Sequence, residues 1–332
     1  MDVSPSANQT IPLNPNWGYI IVELIVAVTA IFGNSLVILV FLRYKSLQTV
    51  TNYYVISLAM ADLLVGVIGI PCAIAVSVGL PENFPACLLM SSLLMLLCTG
   101  SIFSLVAITV DRGYAIISPL RYSAVMTKKT AKIIIAVCWI LASAIGLLPL
   151  MGWNRGHPQK PSCFFMEVID LKYLVFIYFA TILAPSAFMA CVYTIIFRAV
   201  RKQVRRLSGP NVLLDKNNLK SQGQAAQNIA IIIILFVVSW IPLYTINTVA
   251  CFCPLECAIP AWLFDSCIIL SHLNSVWNPV LYAWGMRDFR TALKRLFRIT
   301  SPDNFISKLV IHPSTSGSHN KMINQLVQKT VV

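Results

Sequence analysis

The sequence predicts an all-α membrane protein, a bundle of seven transmembrane helices followed by an amphipathic eighth helix. Hydrophobic residues make up 58% of the 332-residue chain and charged residues only 11%. The mean hydropathy is +0.77, and this balance is too apolar for the surface of a soluble protein. Seven apolar segments follow one another, each near or above the ~20 residues that cross a bilayer as a helix. The basic residues lie almost entirely on one side of these segments.

The charge distribution predicts the orientation in the plasma membrane. With the N-terminus outside the cell, 3 of the 25 lysine and arginine residues lie in outer segments and the other 22 in inner ones. The three are Arg155, Lys160 and Lys172. By the positive-inside rule, the net charge of +13 indicates contacts with membrane lipid and inner protein partners rather than with nucleic acid. The N-glycosylation acceptor Asn8-Gln9-Thr10 agrees with an extracellular N-terminus over residues 1–17.

The apolar segments place the seven helices at residues 18–43, 50–78, 85–113, 130–151, 172–200, 224–252 and 260–284, in a bundle over residues 18–285. Basic inner loops are expected at residues 43–45, 121–132 and 198–220. Residues 286–298 have apolar residues on one face and basic residues on the other, which predicts an amphipathic helix on the inner leaflet. We expect residues 299–332 to form a disordered cytoplasmic tail. The chain has no internal repeat, which disfavours transporters built from duplicated halves.

Polar residues occur inside the apolar segments. The last segment carries Asp265, His272, Asn274, Asn278 and Pro279 among apolar neighbours. Polar side chains are costly in hydrocarbon and usually face the bundle interior. A proline frees a carbonyl group, which then needs protein or water partners. Earlier segments carry similar residues, so the sequence predicts a polar line inside the bundle and several proline kinks.

Short motifs within these helices occur in a characteristic order. They are Gly33-Asn34, Leu58 to Asp62 (LAMAD), Asp111-Arg112-Gly113, Trp139, Trp240-Ile241-Pro242 and Asn278 to Tyr282 (NPVLY). Together they resemble the motifs of rhodopsin-like (class A) G-protein-coupled receptors, over about residues 18–298. Further stretches resemble the adenosine receptors within that family. These are YYVISLAMADLLVG (53–66), GSIFSLVAITVDR (100–112), PLRY (119–122), GWN (152–154) and LSHLNS (270–275).

The resemblance implies a receptor that binds adenosine or a related nucleoside outside the cell and activates a heterotrimeric G protein inside. Arrestin and receptor kinases are further partners of such receptors. In the implied ligand site, Phe165 stacks on adenine and the Asn247 amide pairs with the adenine edge, because an amide offers both a donor and an acceptor. Ser271 and His272 bind the ribose, and Glu23 orients His272. The remaining implied ligand residues are Leu94, Cys98, Met166, Trp240, Leu243, Tyr244 and Ile268, of which Cys98, Met166 and Tyr244 depart from the residues common in the family.

The resemblance also implies an allosteric sodium ion held by Asp62, Ser101, Asn274 and Asn278, and no other cofactor. Hard oxygen ligands around one carboxylate suit a small cation. At the inner end, Arg112 is the expected G-protein contact and Asp111 its restraint. Gly113 replaces the tyrosine that usually follows, and Gln222 stands where an acidic partner of Arg112 is common. The other implied switch residues are Tyr193, Pro242, Pro279 and Tyr282.

Four cysteines fall at outer positions, where disulfides persist. We expect Cys87 to pair with Cys163, which would position Phe165. We expect Cys253 to pair with Cys257, although Cys251 could replace Cys253 in that pair.

Other functional classes fit the sequence less well. An opsin is excluded because no lysine occurs between Lys220 and Lys294, and an amine receptor is disfavoured because Leu94 lies where an aspartate would be needed. The sequence shows no catalytic triad or metal cluster that would indicate an enzyme. The alternatives left open are an orphan class A receptor for another small purine-like ligand and, remotely, a membrane transporter.

Overall fold

The computed structural model describes residues 15–158, 162–206, 213–252 and 259–297. Several predictions concern residues outside these ranges: glycosylation at Asn8, the pairing of Cys253 with Cys257, and the tail from residue 299. The side chains of residues 203–229 and 250–252, which include Gln222 and Cys251, are likewise outside the described part.

The described residues are almost entirely helical, as predicted. Six of their helices are long and apolar enough to cross a membrane, and we call them spans 1 to 6. They are Trp17–Arg43, Val50–Ser77, Phe84–Ile117, Lys128–Gly146, Leu171–Lys202 and Ala230–Val249. Span 7, Ala261–Gly285, has 25 residues, which at about 1.5 Å per residue also suffices to cross the bilayer. Its polar residues make it less apolar than the others.

Several helices continue beyond the predicted bounds into the loops. Span 3 ends at Ile117, four residues later than predicted, where Ser118 precedes Pro119. The helix of span 5 runs on to Arg206, and the helix that contains span 6 begins at Leu213. Most of the predicted inner loop at residues 198–220 is therefore helical. A helix that leaves the bilayer continues in water until the sequence stops it, and hydropathy does not detect that end.

Part of the second predicted inner loop, at residues 121–132, is also helical. A short helix, Pro119–Val125, begins directly after span 3, and span 4 already begins at Lys128. Proline is favoured at the first position of a helix because it has no N–H group to leave unpaired there. Span 4 ends at Gly146, earlier than the predicted residue 151, and a 3₁₀ turn at Leu148–Met151 follows.

Two spans contain a π-helical turn, which is wider than an α-helical turn and in both cases ends two residues before a proline. These turns are Val65–Gly69 in span 2, ahead of Pro71, and Tyr178–Leu183 in span 5, ahead of Pro185. A π turn adds one residue to a helical turn and often occurs at functional sites. It rotates all later side chains about the helix axis, so the residues that face the bundle interior depend on it.

Span 3 runs through the middle of the bundle. Of its 34 residues, 19 are buried and they occupy all sides of the helix. Span 4 has only three buried residues, Ala131, Ala142 and Gly146. Its exposed side is apolar, with Ile133, Val137, Ile140 and Leu141 on the surface, as expected of a helix that faces lipid. Span 3 can therefore contribute residues to polar sites on several sides of the bundle interior.

The eighth helix is present as Arg287–Leu296, close to the predicted 286–298. In its first turn Phe289 is fully buried, with its ring 6.1 Å from that of Tyr282 at the end of span 7.

Candidate functional site

A cavity of about 280 Å³ opens at the end of the bundle where span 1 begins, which we call the N-terminal face. Spans 1, 2, 3, 5, 6 and 7 and the segment after span 4 all contribute to its walls. Eleven of the twelve residues predicted to bind a ligand line it. They are Leu94, Cys98, Phe165, Met166, Trp240, Leu243, Tyr244, Asn247, Ile268, Ser271 and His272. The structure therefore brings these residues together, and their contact with a ligand stays a prediction.

The segment after span 4 is held over the cavity by a disulfide. Cys87 at the start of span 3 pairs with Cys163, with their Cα atoms 5.5 Å apart, which confirms the first predicted disulfide. The backbone N–H of Cys163 also donates to the carbonyl of Gly79 at the end of span 2, at 2.9 Å. These two attachments fix the chain just before Phe165, which begins a one-turn helix and lines the cavity.

Two polar atoms on span 6 lie in this region without a partner. Asn247 is 6% exposed, and its Oδ1 atom accepts no hydrogen bond from any described group. Trp240 lies about two helical turns deeper in the bundle than Asn247. Its Nε1 atom is also buried and has no acceptor among the described residues. A buried polar group without a hydrogen bond costs free energy and is rare in native proteins. These two atoms therefore indicate the places where a ligand or water supplies the missing partner.

The twelfth predicted residue, Glu23, lies behind His272 rather than on the cavity wall. Both residues are buried, and Nδ1 of His272 is 2.9 Å from each carboxylate oxygen of Glu23. This contact engages Nδ1, so Nε2 is the ring nitrogen that Glu23 leaves available. Ser271, the neighbour on span 7, donates to the carbonyl of Ile268 at 2.7 Å. The contact between Glu23 and His272 holds the imidazole in one orientation, and the part that Glu23 plays in ligand binding stays a prediction.

Sequence reasoning missed several residues of the cavity wall. On span 3, Met90, Ser91 and Met95 line it beside the predicted Leu94 and Cys98, and the helical spacing of three to four residues could have predicted them. The other missed residues are Tyr19, Cys72, Ala73, Val76, Ser77, Phe164, Leu174, Phe264 and Asp265. Asp265 was recognised only as a polar residue of span 7. One of its carboxylate oxygens accepts a hydrogen bond from the side chain of Asn16 at 2.7 Å.

A second polar cluster lies deeper in the bundle around Asp62, which is fully buried. One carboxylate oxygen accepts from Ser101 at 3.3 Å and from Ser275 at 2.9 Å, and the other accepts from the Asn278 amide at 2.7 Å. Asn274, which was predicted for this site, is the residue before Ser275 on span 7. It is buried, but it is not among the donors to Asp62. Ser275, which sequence reasoning did not assign to the site, takes that place. All three partners are neutral, so the negative charge of the carboxylate is not offset by a cationic side chain within this hydrogen-bonded cluster.

The end of span 3 opposite the N-terminal face carries Asp111 and Arg112. Asp111 is fully buried, and Arg112 approaches it to 2.6 Å. Thr51 on span 2 and Tyr122 on the short loop helix each donate to Asp111 at 2.8 Å, and Arg112 also donates to Thr51. Burial and then the hydrogen bond to Asp111 raise the pKa of Tyr122 above its usual value, so its hydroxyl stays a donor at neutral pH. Sequence reasoning had not assigned Thr51 or Tyr122 to this cluster.

The other predicted switch residues lie on spans 5, 6 and 7. The hydroxyl groups of Tyr193 and Tyr282 are buried without a hydrogen-bond partner among the described residues. Pro242 and Pro279 lie inside the helices of spans 6 and 7. At Gly113, a Cβ atom would lie 3.0 Å from a methyl group of Val192 on span 5. The glycine therefore allows a close approach of spans 3 and 5 that a larger residue would oppose.

Comparison with known proteins identifies the family. The family described as 7 transmembrane receptor (rhodopsin family) matches residues 33–282, which is most of the bundle. The chain belongs to the rhodopsin family of seven-transmembrane receptors. It is therefore a multi-pass membrane receptor of the G-protein-coupled class and not an enzyme.

Individual relatives within the rhodopsin family agree with the resemblance seen in the motifs. The chain is 42% identical over 300 residues to the dog protein named adenosine receptor A2a, covering 85% of this chain and 73% of the relative. It is 41% identical over 297 residues to human adenosine receptor A2a, covering 84% of this chain and 72% of the relative. Chicken adenosine receptor A2b is 38% identical over 301 residues, 84% of this chain and 87% of the relative. The similarity to adenosine receptors predicted from the motifs is confirmed.

Proposed function

We propose that this chain is a plasma-membrane receptor for extracellular adenosine and that it transmits agonist binding to a heterotrimeric G protein. The observation that carries the proposal is the unpaired Asn247 Oδ1 in a cavity that also contains Phe165 and His272. The relatives named adenosine receptors, at 38–42% identity, support it.

The size and lining of the cavity suit a nucleoside. A volume of about 280 Å³ is just below the usual range for small-molecule sites, roughly 300–1,000 Å³, as expected for a ligand as small as a nucleoside. Apolar walls such as Leu243 and Ile268 would contact the flat base. The Asn247 amide would exchange hydrogen bonds with the amine and ring nitrogen of adenine, and Ser271 and His272 would bind ribose hydroxyl groups.

Signalling would follow from unequal binding to two arrangements of the helices. An agonist shifts the population only if it binds the active arrangement better than the inactive one. Ribose contacts on Ser271 and His272 would draw span 7 toward span 3, while Trp240 and the kink at Pro242 would let span 6 swing outward. Arg112 would then be released from Asp111 and meet the G protein.

We also propose that the N-terminal face lies outside the cell, in the orientation that the charge distribution predicts. Adenosine would then enter from the extracellular side, and the basic loops would contact the inner leaflet and the G protein. Arrestin and receptor kinases are further partners expected at the same inner face.

We also propose a sodium ion at Asp62. A buried carboxylate that lacks a cationic partner is costly, and the hydroxyl oxygens of Ser101 and Ser275 lie within hydrogen-bonding distance of it. Oxygen atoms of this kind suit a small hard cation. Asp62, Ser101, Ser275 and the carbonyl oxygen of Asn278 would hold the ion, and Asn274 lies next to them.

The test compares adenosine with inosine and guanosine in cells that express the chain and in matched cells that lack it. Inosine replaces the adenine amine with a carbonyl, so one hydrogen bond to Asn247 is lost and an acceptor is left unpaired. At roughly 1–3 kcal/mol for such a group, adenosine should be at least about fivefold more potent in a cAMP or radioligand assay. Equal potency, or a response to neither, would favour an orphan receptor for another purine-like ligand.

A further inference from the structure

The cavity carries one acidic residue close to its opening. Asp265 lies on span 7 and lines the cavity together with Ile268 and His272, at the spacing that puts residues on one side of a helix. It is seven residues before His272, which is about 10 Å nearer the N-terminal face at 1.5 Å per residue. A substituent that extends from a ligand at His272 toward the N-terminal face would therefore approach Asp265.

The structure also holds this carboxylate in place. The Asn16 side chain donates to Oδ2 of Asp265 at 2.7 Å and accepts from the backbone N–H of Tyr19 at 3.3 Å. Asn16 is the N-cap of span 1, so it is fixed to the helix end that it caps. No described residue donates a hydrogen bond to Oδ1, which leaves that oxygen available at the cavity wall.

The charged side chains among the described residues that line the cavity have one sign. Among the described residues that line it, none is lysine or arginine, and Asp265 is the one carboxylate. The other nearby acid, Glu23, is fully buried and engaged with His272. A positive charge near Asp265 is therefore favoured and a negative charge disfavoured, and water at the opening weakens both effects.

We propose that Asp265 is a specificity-determining residue that selects ligands by the charge on their outward-facing end. The inference rests on the proposed function and deepens it: the site takes purine nucleosides whose outer substituent is neutral or cationic, and it rejects those with an anionic substituent. Asn16 is a positioning residue, because it acts by holding the Asp265 carboxylate.

The experiment uses three adenosine analogues with the same alkyl chain on the exocyclic amine, ending in an ammonium, a hydroxyl or a carboxylate group. Competition binding is measured on the full-length receptor in membranes. We expect the native chain to prefer the ammonium over the carboxylate analogue by about tenfold. Asp265 attracts the ammonium modestly and repels the carboxylate modestly, and both effects increase the ratio of the two affinities. In Asp265→Asn the ratio should approach one, and in Asp265→Lys it should reverse. The hydroxyl analogue should bind all three chains similarly.

The matched control is Glu82→Gln, which removes the same charge from an exposed acid that does not line the cavity. It should leave the ratio unchanged, whereas an equal shift would mean that only the overall surface charge matters and would overturn the proposal. A ratio of one or less in the native chain would overturn it without any variant, even if Asp265→Asn failed to reach the surface. Unsubstituted adenosine is measured in parallel. Absence of its binding would refute the proposed function, whereas normal binding with an unchanged ratio would refute only the role of Asp265.

Discussion

Replacing Asn247 with alanine is the sharpest test of the ligand site. Oδ1 of Asn247 accepts no hydrogen bond from any residue that the structure describes, so the Asn247→Ala variant breaks no described bond of that atom. A buried polar group without a partner is destabilising, and its removal should leave surface expression intact. The binding of adenosine, by contrast, should lose both of the hydrogen bonds that the amide would form.

The structure sets the size of the expected loss. Each ligand group left unpaired costs roughly 1–3 kcal/mol. We take the lower half of that range, because the cavity opens at the N-terminal face and water can reach part of the site. Two groups then cost about 2–4 kcal/mol, a loss in affinity of roughly 30- to 850-fold. At ordinary radioligand concentrations this would abolish specific binding.

Saturation binding and surface labelling on the same cells measure the two quantities separately. Thr248→Ala is the matched control: it truncates the next residue of the same helix, whose hydroxyl donates only to the backbone of Tyr244 at 2.8 Å. Unchanged affinity in Asn247→Ala would mean that the amide only packs. Lost expression together with lost binding would point to the same conclusion, because it would show a structural role.

Three further predictions concern other sites. Sodium should lower agonist affinity, and Asp62→Asn should remove that effect, since coupling between two ligands is reciprocal; a sodium effect that persists in the variant would place the ion elsewhere. Gln222→Glu should lower ligand-free G-protein turnover, up to about tenfold for a gain of 1.4 kcal/mol at Arg112; equal or higher turnover at equal expression would show that Arg112 is restrained without this position. Peptide mapping of the non-reduced protein should find Cys253 linked to Cys257, and a link from Cys251 instead would correct the pairing.

Much of the fold and many residues of the site could be predicted without a structure. A bilayer demands apolar helices of a minimum length, so each span produces a strong local signal that needs no knowledge of its neighbours. Polar residues within those spans must face inward, which drew attention to Asp62 and His272. The resemblance to a receptor family then placed roles on individual residues, and most of the proposed ligand residues line one cavity.

Contacts between distant parts of the chain could not be predicted in this way. Asn16 bonds to Asp265 across 249 residues, Thr51 to Asp111 across 60, and Ser275 rather than Asn274 to Asp62. Which of two adjacent residues meets a partner depends on how each helix is rotated about its axis. That rotation is determined by side-chain packing between helices and by the π turns in spans 2 and 5, neither of which leaves a local signal in the sequence. The amino-acid sequence by itself therefore determined the number, length and polar content of the helices. Only the tertiary structure decided which polar groups meet, because that depends on the relative rotation of packed helices.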